Sequence, residues 1–408
     1  MSHRPALSLA LALALSGCGS SPGNDTPDAA VASGADAATP DAGSPDGAVT
    51  NTPQTQPIIM NAGGTVLAAP HIVPVFFAGD ATAQAQLETF LTALAASSYW
   101  TAISSEYGVG ALTVAPSVVA TETPPTTDTA LRQLITAHAG GTGGWPATTP
   151  NTIYSVFLPD GVTLTMQGST SCVAFGGYHN ETNAGVVYAL MPRCTSASFP
   201  GLQEVTIASS HEFLEAATDP HPQSAPAFNM PDDEHAIWQL APGGELGDMC
   251  EYNHAVYQPL VGSFMVQRTW SNASAAAGHD PCVPVPSTPY VHATTNLPDM
   301  TIDAGGGQTL VTRGIAVAVG ETKVVEVDLS SDGDAPDWTV AAYDVASKYQ
   351  MQAAELMLSL DKTTGHKGDK LKLSITRLKA AGQFGVSELA LQSSVNGVSV
   401  DTWWALVE

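Results

Sequence analysis

The sequence predicts a layered α/β domain followed by an all-β sandwich domain. Between residues 71 and 218, buried-strand segments alternate with amphipathic helical segments, which is typical of a layered α/β domain. From about residue 289 short alternating strands take over, and Asn396-Gly397 between two of them is a strong signal for a two-residue hairpin. We therefore expect an α/β domain over 58–287 and a β-sandwich accessory domain over 288–408.

Periodicity and apolar runs predict the individual elements. An unbroken apolar run predicts a buried strand at 71–77, and Leu87, Phe90, Leu91 and Leu94 on one face predict a helix over 83–96. The same patterns predict strands at 112–119, 151–158 and 185–191, and helices at 129–139 and 206–218. Many Pro, Gly, Asp and Asn residues predict irregular loop with one hairpin over 219–286. Later strands are predicted at 309–319, 322–329, 338–343, 355–360, 370–376, 387–395 and 398–407.

The N-terminus has the pattern of an export signal. Arg4 precedes an apolar run from Ala6 to Leu15, which is far shorter than the roughly 20 residues that span a bilayer as a helix. The following Ser16-Gly17-Cys18 resembles the lipobox of bacterial lipoproteins, which implies that residues 1–18 are a lipoprotein signal and that Cys18 is acylated. The alternative is an ordinary secretory signal cut nearby. We expect an extracytoplasmic protein held by its lipid at a bacterial membrane, with the outer membrane or cell surface favoured over the inner membrane.

Charge and polarity differ between the N-terminal and C-terminal parts of the chain. Residues 19–57 are small, polar and acidic, which predicts a disordered tether that lifts the folded part off the membrane. The chain carries a net charge of −25, and only four of its 13 Lys and Arg residues precede residue 301. Such a surface repels phosphate backbones, so nucleic acid is not an expected partner.

Four cysteines remain beside Cys18, namely Cys172, Cys194, Cys250 and Cys282. An even count outside the cytoplasm predicts two disulfides. Three pairings are possible, and proximity in the sequence favours Cys172 with Cys194 and Cys250 with Cys282.

The predicted helix over 206–218 carries a metal-ligand pattern. His211 and Glu215 are one turn apart on the same face, so an imidazole nitrogen and a carboxylate oxygen can converge on one ion. In H-E-x-x-H enzymes the glutamate after the first histidine is the general base, and Glu212 occupies that position here. The pattern predicts a zincin-like α/β domain that binds Zn²⁺. The alternative is a polar cluster in which Ser209 or Ser210 caps a helix and Glu212 closes a capping box.

A third metal ligand has to come from another segment. We favour Glu245, with Asp248 as the partner that orients an imidazole, as the downstream E-x-x-D does in gluzincins. His221 lies ten residues after His211, the spacing of the third metzincin histidine, but Thr218 replaces the Gly of that turn. Asp219, another lower-ranked candidate, precedes Pro220 and is expected to end the helix.

These motifs together resemble the exordium, or phosphate-induced-protein, family of plants and bacteria. The resemblance rests on H-E-x-x-E-A-x-T-D-P at 211–220, on E-x-x-D-x-C at 245–250, and on the strand N-T-I-Y-S-V-F-L at 151–158. It also includes Cys172, the G-G-Y-H string that ends at His179, and Cys194, and it covers about residues 70–282. It implies an extracellular location and adds His179 as a further candidate site residue.

The leading hypothesis is a zinc-dependent, peptidase-like hydrolase. In it His211, Glu215 and Glu245 hold the metal and Glu212 activates water. The alternative is a noncatalytic cell-surface protein that binds a cell-envelope polysaccharide or another protein. Peptide or polysaccharide is thus the expected partner, beside the membrane to which the lipid anchors the chain.

Overall fold

The computed structural model describes residues 55–284, 289–305, 308–380 and 385–408. The predicted signal peptide, Cys18 and all but the last three residues of the predicted tether lie outside these ranges. Within them, no helix combines the length and the apolarity that crossing a membrane requires. The described chain is mostly β-sheet with a few helices.

A six-stranded sheet forms the centre of the N-terminal half. Four of its strands are His71–Phe77, Thr152–Phe157, Val187–Met191 and, at one edge, Tyr178–Glu181. The first three run parallel, and the edge strand is antiparallel to its neighbour. The strand expected at 112–119 is instead two short strands, Thr113–Val114 and Val118–Ala120, which both pair with the first. The parallel strands are apolar because both of their faces are buried.

Three long helices accompany this sheet, Ala81–Ala95, Asp128–His138 and Gln203–Thr218. We call the last of these the site helix. Its residues 205–218 are all buried, and it packs against Val187–Met191 on one side and Phe264–Gln267 on another. The helix ends at Thr218, as expected from the proline two residues later.

The segment expected to be irregular, 219–286, contains more regular structure than predicted. Apolar runs too short to show a period form paired strands there once they pack on the site helix. Its strand pairs are Ile59–Asn61 with Phe228–Pro231, Tyr257–Val261 with Phe264–Gln267, and Thr269–Trp270 with Cys282–Val283. The short helices of the described chain are Ser98–Ser104, Ile237–Leu240, Asp248–Glu251, Asn272–Ala276 and Val345–Lys348, with 3₁₀ turns at Ser105–Tyr107, Asp233–His235 and His254–Val256. A small hairpin joins Thr165–Met166 to Ser169–Thr170.

Both favoured disulfides are confirmed. Cys172 pairs with Cys194, and Cys250 pairs with Cys282. The second bond joins the short helix Asp248–Glu251 to the last strand before the C-terminal half. On the chain-entropy model, a loop of this length contributes about 4 kcal/mol to the free energy of unfolding.

The C-terminal half is a β-sandwich, as predicted. One sheet orders Val291–Thr295, Thr322–Ser331, Lys370–Arg377 and Leu356–Leu360. The other orders Asp299–Gly305, Gln308–Ile315, Val398–Val407, Ser387–Val395, Trp338–Asp344 and Thr364–Gly365. The predicted hairpin is present: Asn396 and Gly397 have φ angles of 52° and 80°, which a type I′ turn requires.

The two halves share one hydrophobic core. Two tryptophans of the last strand, Trp403 and Trp404, are buried against the N-terminal half. The Trp403 ring centroid lies 5.6 Å from that of Trp238, and the Trp404 centroid lies 4.9 Å from that of Tyr252. Edge-to-face pairs of this kind add to the energy of apolar burial. The sandwich therefore supports the segment that follows the site helix.

A buried acid of the sandwich predicts a pH dependence of stability. Asp401 accepts a hydrogen bond from the Tyr290 hydroxyl at 2.6 Å, and burial raises the pKa of Asp401 to about 7. The folded chain then binds this proton more tightly than the unfolded chain, so the free energy of unfolding falls as pH rises from about 4 to about 7. We expect Asp401→Asn to remove this part of the pH dependence. Urea unfolding at about pH 5 and about pH 8 measures the free energy of unfolding of wild type and of Asp401→Asn. If this free energy falls equally in the two proteins between these pH values, the expectation is contradicted.

Candidate metal centre on the site helix

The site helix carries its polar residues in its interior turns. His211 and Glu215 lie in the middle of Gln203–Thr218, and their side chains are 1% and 3% exposed. Ser209 and Ser210 do not cap this helix, because their hydroxyls donate to the backbone carbonyls of Val205 and Ile207 within it. The capping-box alternative is therefore wrong.

Glu215 lies between two histidines. Its Oε1 atom is 3.0 Å from His211 Nε2, and its Oε2 atom is 3.6 Å from His179 Nδ1. His179 belongs to the edge strand Tyr178–Glu181, whereas His211 is one turn away on the same helix. The carboxylate thus presents a different oxygen to each imidazole.

Among the described residues, two groups of three have ligand atoms close enough to hold one ion. His179, Glu215 and Glu245 form one, which we call the outer group, and His211, Glu215 and Asp248 form the other, the inner group. The expected set of His211, Glu215 and Glu245 is not one of them, because Glu245 lies on the far side of His179, with its Oε1 atom 3.6 Å from His179 Nε2. Asp248, expected only to orient an imidazole, takes the place beside His211, with its Oδ1 atom 3.5 Å from His211 Nε2.

Glu212 lies beside the outer group. Its Oε2 atom is 3.5 Å from His179 Nδ1, whereas Glu245 contacts the other ring nitrogen, Nε2. Space around it is limited, since a Cβ atom added at Gly177 would lie 3.2 Å from the Glu212 side chain. Glu212 is thus held next to the ligands without belonging to either group.

The two lower-ranked candidate ligands, His221 and Asp219, belong to neither group of three. His221 is outside both groups and contacts Glu181 instead, with 3.0 Å between its Nδ1 atom and the Glu181 Oε2 atom. Asp219 is fully buried at the helix end, where its Oδ1 atom accepts a hydrogen bond from the Ala227 amide. Its Oδ2 atom has no hydrogen-bond partner among the described residues, although the side chain is near His179 and Glu245.

Burial and mutual repulsion dominate the electrostatics of the site. Burial lowers the pKa of His179, but Glu245, Glu212 and Glu215 raise it well above its ordinary value. Burial raises the pKa of Glu215, but the two histidines reverse this and lower it to about 2. For Asp248, burial and then Glu215 raise the pKa to about 7. The site therefore contains more buried carboxyl groups than its two imidazoles can neutralise.

Gly247 allows the loop after Glu245 to approach the His211 ring. At Gly247 an added Cβ atom would lie 2.6 Å from His211 Nδ1, so only glycine fits beside this ring. The Gly247 amide also donates to Glu215 Oε1 at 2.9 Å. The loop after Glu245 is thereby held against the site helix.

Gly247→Ala tests this close approach. The added methyl group would displace the His211 ring, and we expect a loss of at least tenfold in zinc affinity with a destabilisation of about 1–3 kcal/mol. Gly140→Ala is the matched control, because no atom lies within 4 Å of its added Cβ and its φ angle is ordinary. Zinc affinity by competition with a chelating dye and thermal unfolding measure both effects. Equal zinc affinity in the two variants would contradict the arrangement.

No protein-family model matches the chain, and no curated protein does. Among solved structures, domains 4 and 5 of the S-layer protein SbsC are 11% identical over 30% of this chain and 48% of that chain, with a TM-score of 0.18. A GH5 xyloglucanase of Bacteroides ovatus is 10% identical over 23% of this chain and 16% of that chain, with a TM-score of 0.15. The titin M3 domain is 10% identical over 29% of this chain and 97% of that chain, with a TM-score of 0.17. The chain spans about half of the S-layer chain and about a sixth of the xyloglucanase chain, and these similarities carry no argument about the site.

Proposed function

We propose that the protein is an extracytoplasmic, metal-dependent hydrolase of the peptidase-like, zincin-like class, with its catalytic cation at the outer group. The observation that carries the proposal is the convergence of His179, Glu215 and Glu245 beside a further carboxylate, Glu212. Imidazole and carboxylate oxygens are the ligands that hydrolytic Zn²⁺ sites use, with three from the protein. Zn²⁺ is therefore the expected metal.

The contacts of His179 fit a cation. Its Nδ1 atom lies 3.5 Å from Glu212 Oε2 and 3.6 Å from Glu215 Oε2, and its Nε2 atom lies 3.6 Å from Glu245 Oε1. Three carboxylate oxygens around one buried ring repel one another unless positive charge lies among them. The partnerless Asp219 Oδ2 atom nearby supports the same conclusion.

The residues of the site would have different roles in hydrolysis. A bound Zn²⁺ ion would supply Lewis-acid polarisation of the scissile carbonyl and of water. Glu212, which lies next to the ligands, accepts the proton from the attacking water as general base. Glu245 is 19% exposed, whereas the other ligand side chains are at most 8% exposed. Substrate would therefore reach the outer group from the side of Glu245.

A peptide is the substrate class that the surroundings favour. His179 lies on the edge strand of the sheet, and extended peptides bind such strands through main-chain hydrogen bonds.

A noncatalytic surface protein is the second candidate. The burial of four of the five ligand side chains favours it, because a closed site can bind a cation for stability alone. In that case the β-sandwich would bind the polysaccharide or protein partner. The two candidates differ in whether the site turns over substrate.

The variant Glu212→Gln distinguishes the hydrolase from the noncatalytic surface protein. Loss of the general base is expected to lower hydrolysis of a quenched fluorescent peptide library by about 10²- to 10⁴-fold while zinc content stays at the wild-type level. Glu204→Gln, near the start of the same helix, is the control and should keep full activity. If Glu212→Gln matches wild type on a peptide that wild type cleaves, Glu212 is not the base. If zinc-loaded wild type cleaves no peptide, the noncatalytic candidate is favoured.

Anchoring through Cys18 is the remaining part of the proposal. Cys18→Ala removes the lipidated thiol, so the protein should move from the membrane fraction to the soluble fraction of a bacterial expression host. Ser20→Ala is the control and should stay with the membrane after a high-salt wash. Immunoblots of both fractions measure the distribution. An unchanged distribution of Cys18→Ala would contradict lipid anchoring.

A further inference from the structure

We propose that Glu215 bridges two divalent cations, and that the inner group of His211, Glu215 and Asp248 holds the second one. The inference rests on the proposed function in one respect, since Glu215 is also a ligand of the outer group. It adds a binding site that hydrolysis by a single ion does not require.

The hydrogen-bond network fixes which nitrogen of His211 faces the other two residues of the inner group. Gln267 donates through its Nε2 atom to the Gly247 carbonyl oxygen at 2.6 Å, so its Oε1 atom is the one that faces His211. An amide oxygen only accepts, and His211 Nδ1, at 3.1 Å from it, therefore carries a hydrogen. The Nε2 atom is then turned toward Glu215 and Asp248, and in the neutral ring it carries the lone pair that binds metals.

This lone pair faces two carboxylate oxygens. Glu215 Oε1 is 3.0 Å and Asp248 Oδ1 is 3.5 Å from His211 Nε2. The backbone amides of Gly247 and Asp248 both donate to Glu215 Oε1, which fixes the orientation of the carboxylate. Because His179 faces Oε2 in the same way, each oxygen of one carboxylate is aimed at a site with its own imidazole.

The cluster contains more acidic than basic groups. Glu251 is a further buried carboxyl group close to Asp248 and His211. With it, six carboxyl groups pack around two imidazoles, namely those of Glu212, Glu215, Asp219, Glu245, Asp248 and Glu251. Burial and mutual repulsion disfavour the ionised form of so many neighbouring carboxyl groups, and each bound cation would offset that cost.

The ligand chemistry defines the class of cation. One imidazole and two or three carboxylates form a harder ligand set than two imidazoles, which suits Zn²⁺ and Mn²⁺. In two-metal hydrolases the ions lie about 3.5–4 Å apart, a distance that a bridging carboxylate spans. The inner ion, with ligands at most 8% exposed, would hold Glu215 and the 245–248 loop in place while the outer ion faces substrate.

Metal stoichiometry tests the inference without any activity assay. The full-length protein is stripped with chelator, reloaded with ZnCl₂, passed over a desalting column and measured by mass spectrometry of elemental zinc. Wild type is expected to hold two zinc ions, Asp248→Asn and Glu245→Gln one each, and Glu215→Gln none. Asp233→Asn, an exposed acid, is the matched control and should hold two.

Loading with Mn²⁺ tests the bridge itself. Two manganese ions that share Glu215 should show exchange coupling in the electron paramagnetic resonance spectrum of wild type, and Asp248→Asn should show only an uncoupled ion. Wild-type readings decide the matter even if a variant fails to fold.

The outcomes separate this inference from the proposed function. A single zinc ion in wild type would overturn the second site and leave the hydrolase proposal standing, whereas no zinc would overturn both. Two ions without exchange coupling would overturn the bridge. Two coupled ions in a protein that hydrolyses no peptide would support the inference and contradict the hydrolase.

Discussion

The Glu215 carboxylate, buried between the imidazoles of His179 and His211, is the interaction on which the rest of the site depends. A carboxylate this deeply buried is stable only if positive charge compensates it on both sides. Hydrogen bonds to Asp219 and Gln267 hold the two rings so that His179 Nδ1 and His211 Nε2 face the two oxygens of Glu215. The fold supplies the rings from two separate elements, the edge strand and the site helix.

The remainder of the chain supports the segment that carries the other carboxylates. Asp248 begins a one-turn helix that the Cys250–Cys282 disulfide ties to the strand at 282–283. The sandwich holds the chain just beyond it, since Thr402 donates to the Asn253 side chain at 2.8 Å and the His254 amide donates to Ser399. The β-sandwich is thus part of the framework of the candidate metal centre.

Periodicity and composition predicted the larger elements because those elements are long and strongly apolar. The strand at 71–77, the site helix and the C-terminal hairpin all have unambiguous local signals, and proximity gave both disulfides. The strand at 178–181 was missed because Tyr-His-Asn-Glu has neither apolar alternation nor length, and only its pairing with Val187–Met191 makes it a strand. The sequence therefore offered His179 only through the resemblance, because its position beside the site helix depends on that strand. The fixed H-E-x-x-E spacing identified Glu215, but the choice between Glu245 and Asp248 depended on how a loop folds over the helix, which spacing does not determine.

Anomalous diffraction at the zinc absorption edge, from crystals of the zinc-loaded protein, would locate cations beside Glu215. We expect an anomalous peak on each side of the Glu215 carboxylate, one within about 2.2 Å of a His179 nitrogen and one within about 2.2 Å of His211 Nε2. A map without any peak within coordination distance of Glu215, from crystals soaked at saturating zinc, would contradict this expectation.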